Sequence, residues 1–364
     1  MSGPTTHRTS DDDTLANPLF ARAANAASRA RYRRAAEVRD LLSDAEARLD
    51  ERTRTAAGAC LDAIVGALDR LIRARAIAWL DDHGHALGER LDELTVDMTT
   101  MLADGGILSE TALIEEVLGR VGEALLAERL PIDFPGEGDA GGLVLRLTAS
   151  RDAKVASAAR ALLAADAARR AEIDGEPSSG DLPSALRAHL AWPMVAILRG
   201  ALPYDAATDQ ALAHAAAQVV GSIGEVHPLE ATAMRLARAL APDAEELPLL
   251  VVEAMGDRRL ALATALIARA LGADYSAVRE TMLDPDGERL WLAMRALDFD
   301  KRTIARVGYL LCEADARRST EAFADMLGDL MAVPRDRAAE AIAELRLPHA
   351  YRDALHLLRQ RGIA

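Results

Sequence analysis

The amino-acid sequence predicts an all-α protein in which an N-terminal helical bundle is followed by an irregular array of short helix pairs. Two observations predict this fold class. Apolar residues recur at helical spacing along nearly the whole chain of 364 residues. The composition is only 3% aromatic and is rich in Ala, Leu, Arg and Glu, which favours helices over strands. A strand competes only over 143–148, where the continuation into Ala-rich sequence favours a helix as well.

Residues 1–14 form the first predicted element, a disordered acidic tail that precedes a helical bundle over 15–130. The tail lacks the basic start and the unbroken apolar core of a secretion signal, so no such signal is predicted. No uncharged apolar stretch in the chain reaches the length of about 18 residues that is needed to cross a membrane. The sequence therefore predicts no transmembrane helix.

Two long amphipathic helices define the predicted bundle. The first runs over 55–80 and carries an apolar seam through Leu61, Val65, Leu68, Ile72 and Trp79. The second starts at Ser109, a residue type that caps helices, after the Asp104-Gly105-Gly106 break. Short connections between long helices favour antiparallel packing. The Leu61–Trp79 seam either packs within the chain or forms a homodimer interface.

Two segments rich in Pro and Gly interrupt the helical pattern, at 131–142 and at 174–183. The first is the predicted linker to a second domain over 143–364. Its Gly136–Gly141 stretch formally matches a dinucleotide-binding glycine pattern, but prolines stand where that pattern requires a strand. A linker is therefore the favoured interpretation, and no cofactor is predicted.

The second domain consists of short segments that each carry one apolar helical face, separated by Pro, Gly and Asp. Short helices that cannot bury such a face alone are stabilised when helix pairs stack, as in HEAT-like α-solenoids. The predicted helix ends agree: Gly272 is a C-terminal cap, and Asp284 and Pro285 are the N-cap and first residue of the next helix. Because the repeats have no clean period, a compact helical domain is the alternative.

A resemblance to a known family is carried by the segment 257–299. This segment combines a regular apolar spacing with the turn Asp284-Pro285-Asp286-Gly287. It resembles the C-terminal part of a family of alphaproteobacterial helical proteins that is HEAT-like in texture and catalogued as a domain of unknown function. The resemblance is best over about 249–311. It implies a bacterial, HEAT-like protein, and it brings no catalytic residues to this chain.

Charge and cysteine content narrow the classes of partner and compartment. The formal net charge is −14 at pH 7, and such a chain is repelled by phosphate backbones, so nucleic acid is not a predicted partner. Nearly all basic residues are Arg, with Lys only at Lys154 and Lys301, which is interpreted first as a composition bias. Cys60 and Cys312 lie far apart in apolar helical patterns. Two buried free thiols fit a reducing cytoplasm.

Candidate catalytic and metal-binding residues are few. His83 and His85 flank Gly84, but a single pair without a third ligand is an incomplete metal site, so a polar turn and no metal are predicted. No recognised nucleophile, phosphate-loop or zinc motif occurs. A set of carboxylates close in sequence could serve an enzyme whose site is assembled from scattered residues: Asp243, Glu245, Glu246 and Glu253.

A basic cluster near the N-terminus comprises Arg29, Arg31, Arg33 and Arg34, with Tyr32 among them. Acidic residues follow it at helical spacing, namely Glu37, Asp40, Asp44 and Glu46. Local pairing between the two sets predicts a solvated, salt-bridged helix. The Arg258-Arg259 and Arg317-Arg318 pairs are predicted to be loop or helix-end charges.

Three tryptophans, Trp79, Trp192 and Trp291, lie at apolar positions of their helices, where core packing is the usual role. An exposed Trp291 would instead be a binding hot spot. The candidate partner-binding residues are therefore Trp291, Arg295 and Arg289.

The function predicted from fold and charge is that of a non-enzymatic cytoplasmic protein-interaction module, a scaffold or adaptor with a possible regulatory role. An acidic helical array suits a partner with a basic or amphipathic-helical segment. A small-molecule sensor or an enzyme is the alternative. A deep pocket lined by ionisable residues would favour that alternative, and a shallow groove would favour the interaction module.

Overall fold

The computed structural model describes residues 22, 29, 33, 49–85, 88–132, 142–175, 182–203, 205–221 and 228–360. Within these ranges the chain forms 17 α-helices and no strands and is 80% helical, which confirms the all-α prediction. The 143–148 segment is a helix, as predicted. None of the described helices is both long enough and apolar enough to cross a membrane.

The chain order of the helices gives the labels used below. The first eight are α1 (Glu51–Asp82), α2 (Gly88–Asp92), α3 (Met98–Asp104), α4 (Thr111–Arg129), α5 (Leu143–Thr148), α6 (Ala153–Ile173), α7 (Ser184–Gly200) and α8 (Ala206–Gly221). The remaining nine are α9 (Leu229–Leu240), α10 (Glu246–Gly256), α11 (Leu260–Leu271), α12 (Tyr275–Leu283), α13 (Glu288–Ala296), α14 (Lys301–Ala314), α15 (Thr320–Ala332), α16 (Arg335–Ala341) and α17 (His349–Gln360).

The helices group into two compact units, each made of separate stretches of chain. The α1 unit comprises residues 34–125 and 157–232, and the α13 unit comprises 1–33, 126–156 and 233–364. This grouping differs from the predicted division into 15–130 and 143–364. The reason is that α7 and α8 pack on α1 and share its apolar core.

Helix α1 confirms the predicted long helix and extends it to 32 residues. Asp50 caps it by accepting a hydrogen bond from the backbone N–H of Thr53 at 2.7 Å. Its fully buried side chains recur at every fourth position, at Cys60, Ile64, Leu68, Ile72, Ala76 and Leu80. The predicted seam is therefore rotated: Leu61 and Trp79 lie half-buried at the edge of this face. Its central residues pack within the chain against α7 and α8.

Helix α11 is the centre of the α13 unit. Its residues from Leu260 to Ala268 are all buried, and it packs between α10 and α12. The helix ends at Gly272 in the left-handed region at φ 67°, as predicted. The successive packing of α10, α11 and α12 is compatible with an array, whereas HEAT-like pair stacking stays a prediction.

The predicted start of α13 was wrong. Asp284 follows the last residue of α12 and does not cap α13, which begins only at Glu288. Gly287, at φ 71°, turns the chain between them, and a Cβ there would lie 2.6 Å from the Trp291 indole nitrogen. Helix α4 likewise begins at Thr111, because Ser109 closes a 3₁₀ turn.

Several sequence predictions lie outside the described residues. They are the tail over 1–14, residues 133–141 of the linker with its glycine pattern, residues 176–181, Arg31, Tyr32, Arg34, Glu37, Asp40, Asp44 and Glu46.

A glycine pair tests the packing of the α13 unit. A Cβ on Gly308 in α14 would lie 2.0 Å from the Phe323 ring, whereas Gly328 in α15 has open space around it. Gly308→Ala should lower the free energy of unfolding by about 1–3 kcal/mol because the ring must move. Gly328→Ala, the matched control, should raise it by about 0.5–1 kcal/mol because alanine favours helices. Urea unfolding measures both, and equal effects would contradict this packing.

Candidate functional site

The turn between α12 and α13 concentrates negative charge. We define the acidic loop as residues 284–288, in which Asp284, Asp286 and Glu288 alternate with Pro285 and Gly287. Asp284 and Glu288 are nearly inaccessible, with side chains 1% and 8% exposed, while the side chain of Asp286 is 38% exposed. Carboxylates this buried require cationic or hydrogen-bonding partners to remain ionised.

Three arginines from the N-terminal part of the chain supply those partners. We call Arg22, Arg29 and Arg33 the arginine face, because each has helical backbone conformation and each forms an ion pair with the acidic loop. Arg33 Nη1 donates to Asp286 Oδ2 at 2.8 Å, and Arg33 Nη2 donates to Asp284 Oδ1. Arg29 Nη2 lies 3.1 Å from Glu288 Oε1, and Arg22 Nε lies 3.8 Å from the same oxygen.

The ion pairs perturb the acid–base behaviour of their members. Desolvation alone would raise the pKa of Asp286, but the hydrogen bond from Arg33 and the charges of Arg33 and Arg29 outweigh it and hold the pKa below its usual value. Burial would likewise lower the pKa of Arg33, but the carboxylates of Asp286 and Asp284 raise it. The pair of Arg33 and Asp286 therefore stays ionised through the neutral range.

A second layer of arginines lies beneath the loop. Arg289 Nη2 donates to Glu280 Oε1 at 3.1 Å and lies 3.8 Å from Asp284 Oδ2. Arg352 of α17 approaches Glu280 Oε2 at 3.6 Å. Asp284 thus has arginines on both sides, which fixes the position of the loop.

A cavity of about 210 Å³ adjoins the acidic loop and is partly open to solvent. Its walls combine aromatic and charged side chains. They include Arg22, Glu288, Trp291, Arg318, Phe323 and Met326. The Trp291 and Phe323 rings pack with centroids 4.8 Å apart at 50°, and a Cβ at Gly287 or at Gly308 would collide with the Trp291 or the Phe323 ring, respectively.

Of the predicted partner-binding residues, only Trp291 lines this cavity, and together they do not form an exposed surface. Trp291 and Arg289 are only 2% and 6% exposed, so the exposure that would make Trp291 a hot spot is absent. Arg295 Nε donates to the Val333 carbonyl at 2.9 Å and ties α13 to the end of α15. Core packing accounts for Trp291, whereas Trp192 is 46% exposed and contradicts the expected core role.

Other candidate residues are separated by the fold or engaged locally. Asp243 accepts the backbone N–H groups of Glu245 and Glu246 at the start of α10, and Glu253 pairs with Arg146. These carboxylates therefore do not form one site. Arg318 lies in the turn between α14 and α15, as expected of a loop charge, but its side chain is buried at 2% exposure.

The histidines of the predicted polar turn surround a tryptophan. In the α1 unit, the Trp79 ring stacks on His83 at 3.9 Å, and His85 and His214 lie 6.4 and 6.5 Å away. Among the described residues, no group of three or more His, Cys, Asp or Glu side chains is arranged to hold a metal ion.

The α1 unit contains a separate buried polar cluster. Arg120, 1% exposed, pairs with Glu116 at 2.8 Å and with Glu172 at 3.5 Å. The Cys60 thiol donates to Glu172 Oε1 at 3.2 Å. Burial, and then the charge of Glu172, raises the pKa of Cys60 well above its usual value. This thiol is therefore inert, and the cluster has the character of a structural core network.

The sequence interpretation missed the acidic loop as a binding element. The signal was present as three carboxylates at alternate positions and arginines at helical spacing, but no local rule joins residues 251–257 positions apart. Sequence spacing alone favours nearby carboxylates as the partners of these arginines. The described arginines Arg29 and Arg33 pair with the acidic loop.

Comparisons of the chain with protein-family models, with curated proteins and with solved structures gave no match. The function is therefore inferred from the geometry of this site.

The two thiols provide a test of burial. Cys60 is buried and Cys312 is only half-buried, a difference from the predicted pair of buried thiols. A thiol reagent at pH 8 should label Cys312 quickly and Cys60 at least roughly 100-fold more slowly, because Cys60 reacts only after opening of the core. Burial also raises the pKa of Cys312, so its labelling rate should still increase above about pH 9.

The variants Cys60→Ser and Cys312→Ser assign the two phases by absorbance. Rapid labelling in Cys312→Ser would show that Cys60 is accessible.

Proposed function

We propose that the protein is a non-enzymatic protein-interaction module whose acidic loop binds an arginine-bearing helical segment of a partner. The observation that carries this proposal is the pairing of the arginine face with Asp284, Asp286 and Glu288. The chain supplies its own occupant of the acidic loop, and that occupant indicates the chemistry a partner must present.

The geometry of the pairing favours arginine over lysine. Arg33 contacts two carboxylates at once through separate nitrogens, as a planar guanidinium can and an ammonium cannot do with the same precision. Arg29 similarly lies within reach of both Asp286 and Glu288. A partner segment should therefore carry arginines at helical spacings of four and seven.

The two sides of the contact differ in how firmly they are held. Asp284 and Glu288 are buried, and arginines of the second layer position the loop. The side chains of Arg22, Arg29 and Arg33 keep 49%, 34% and 33% of their exposure. The partly exposed guanidiniums can regain water when they leave the loop, whereas the buried carboxylates cannot. A preorganised acidic receptor with an exchangeable occupant suits the binding of a partner.

The overall composition supports the same class of partner. A net charge of −14 attracts basic segments and speeds their association. A cytoplasmic location, HEAT-like stacking and the resemblance to a bacterial helical family belong to this proposal and stay predictions, as does a homodimer through the Leu61–Trp79 seam. Two free thiols support a reducing compartment.

The test removes the arginine face from the acidic loop within the full chain, which gives a vacated variant. The variant Arg22→Gln/Arg29→Gln/Arg33→Gln should bind a fluorescein-labelled peptide of residues 15–48 at least about tenfold more tightly than the wild type, because the wild-type segment competes at high effective concentration. Fluorescence anisotropy at 50 mM and 300 mM salt measures the affinity. Binding should weaken at the higher salt because the contacts are ionic.

Matched controls separate this contact from general charge effects. Arg235→Gln/Arg238→Gln/Arg302→Gln removes the same charge from exposed positions and should bind no more tightly than the wild type. A peptide with glutamine at positions 22, 29 and 33, and addition of Asp286→Asn to the vacated variant, should each weaken binding. Equal affinity of the vacated and wild-type chains, with helicity unchanged, would rule out the acidic loop as a receptor.

A further inference from the structure

The cavity next to the acidic loop contains a buried guanidinium with unused hydrogen-bond donors. Arg318 lines the cavity, and its side chain is 2% exposed. Its Nη2 donates to the Met282 carbonyl at 2.6 Å. Within the described part of the chain, its Nε and Nη1 have no hydrogen-bond partner, and Nε is 3.7 Å from the nearest Asp315 oxygen. A buried guanidinium with two unused donors favours an anionic acceptor.

A helix N-terminus faces the same cavity. Helix α15 has 13 residues, and Ser319, Ala322 and Phe323 from its start line the cavity. The Ser319 hydroxyl satisfies one N–H group, that of Ala322, at 3.2 Å. The positive end of the helix dipole adds to the potential of Arg318 and stabilises negative charge at this wall.

The apolar surface on the other walls of the cavity defines the remaining part of a ligand, away from its anionic group. Trp291, Phe323 and Met326 provide apolar surface, and the acidic members of the lining, Asp286 and Glu288, are already paired with the arginine face. A cavity of about 150 Å³ is enough for a benzene ring. The volume of about 210 Å³ therefore admits a ring or a branched chain together with a small polar head.

We propose that this cavity is a binding site for a small carboxylate that carries an apolar ring or chain, with the carboxylate at Arg318 and the start of α15. The apolar part lies against Trp291, Phe323 and Met326. The proposal extends beyond the partner-binding function and uses a different set of contacts. It provides a binding site for the predicted alternative of a small-molecule sensor, because the bound ligand would lie beside Arg22 of the arginine face.

The probe pair is phenylacetate and phenylacetamide, which have the same shape and differ in charge. Phenylacetate should bind the full chain with a dissociation constant on the order of 1 mM, and phenylacetamide at least about tenfold more weakly, because only the carboxylate brings the negative charge that Arg318 and the start of α15 stabilise. Ligand-observed NMR titration up to 20 mM measures both. Equal binding of the two, or no saturable binding of phenylacetate, would overturn the proposal.

Two helix variants locate the site without altering Arg318. Ala322→Leu fills the cavity and should abolish phenylacetate binding, whereas Ala324→Leu, also exposed on α15 but outside the cavity lining, should leave binding unchanged.

A third variant tests Arg318 itself. Arg318→Lys should weaken phenylacetate binding at least about fivefold, while phenylacetamide binding changes little. Undiminished binding to Ala322→Leu would place the ligand elsewhere and overturn the proposal. The arginine-face variant used for the peptide test retains Arg318, so the two proposals fail independently.

Discussion

The arrangement of the α13 unit depends on the pairing of buried carboxylates with arginines. Asp284 has a side chain that is 1% exposed, and Glu280 is 9% exposed. Breaking a buried ion pair by removing one member costs about 3–5 kcal/mol, because the other charge is left without compensation. Arg289 and Arg352 therefore fix the relative positions of α12, α13 and α17 as they approach Glu280. The position of α13 in turn places Trp291 over Gly287 and shapes the cavity.

Features set by local sequence could be predicted. The long helix α1 follows from apolar spacing and a capping aspartate, and Gly272 adopts the left-handed conformation that its place after Leu271 implies. These outcomes depend on residues within one or two helical turns, for which periodicity and capping chemistry are sufficient. The face that α1 buries was less certain, because alanine and cysteine at Ala76 and Cys60 pack inside as readily as the larger residues of the predicted seam.

Features set by distant pairing could not be predicted. Arg33 has Glu37 four positions further along as well as Asp286, 253 positions away, and the sequence does not rank these partners. The same limit applies to the tryptophans: Trp192 and Trp291 occupy similar apolar patterns, yet one is 46% exposed and the other 2%. Burial depends on which helices pack around each residue. The grouping of α7 and α8 with α1 is likewise determined by tertiary packing.

The acidic loop provides a structural reason for the use of arginine instead of lysine in this chain. With lysine only at Lys154 and Lys301, the sequence invites an explanation by composition bias alone. However, Arg33 spans two carboxylates and Arg318 combines a carbonyl with an aspartate, arrangements that a planar fork permits and a point charge does not. The carboxylates of the acidic loop are buried, whereas the arginine face is half exposed. The two sides of the contact therefore depend on their ion pairs to different degrees. The carboxylates must always have a cationic partner, whereas the arginines can be rehydrated. Exchange of one arginine-bearing segment for another is therefore the change that the acidic loop tolerates best.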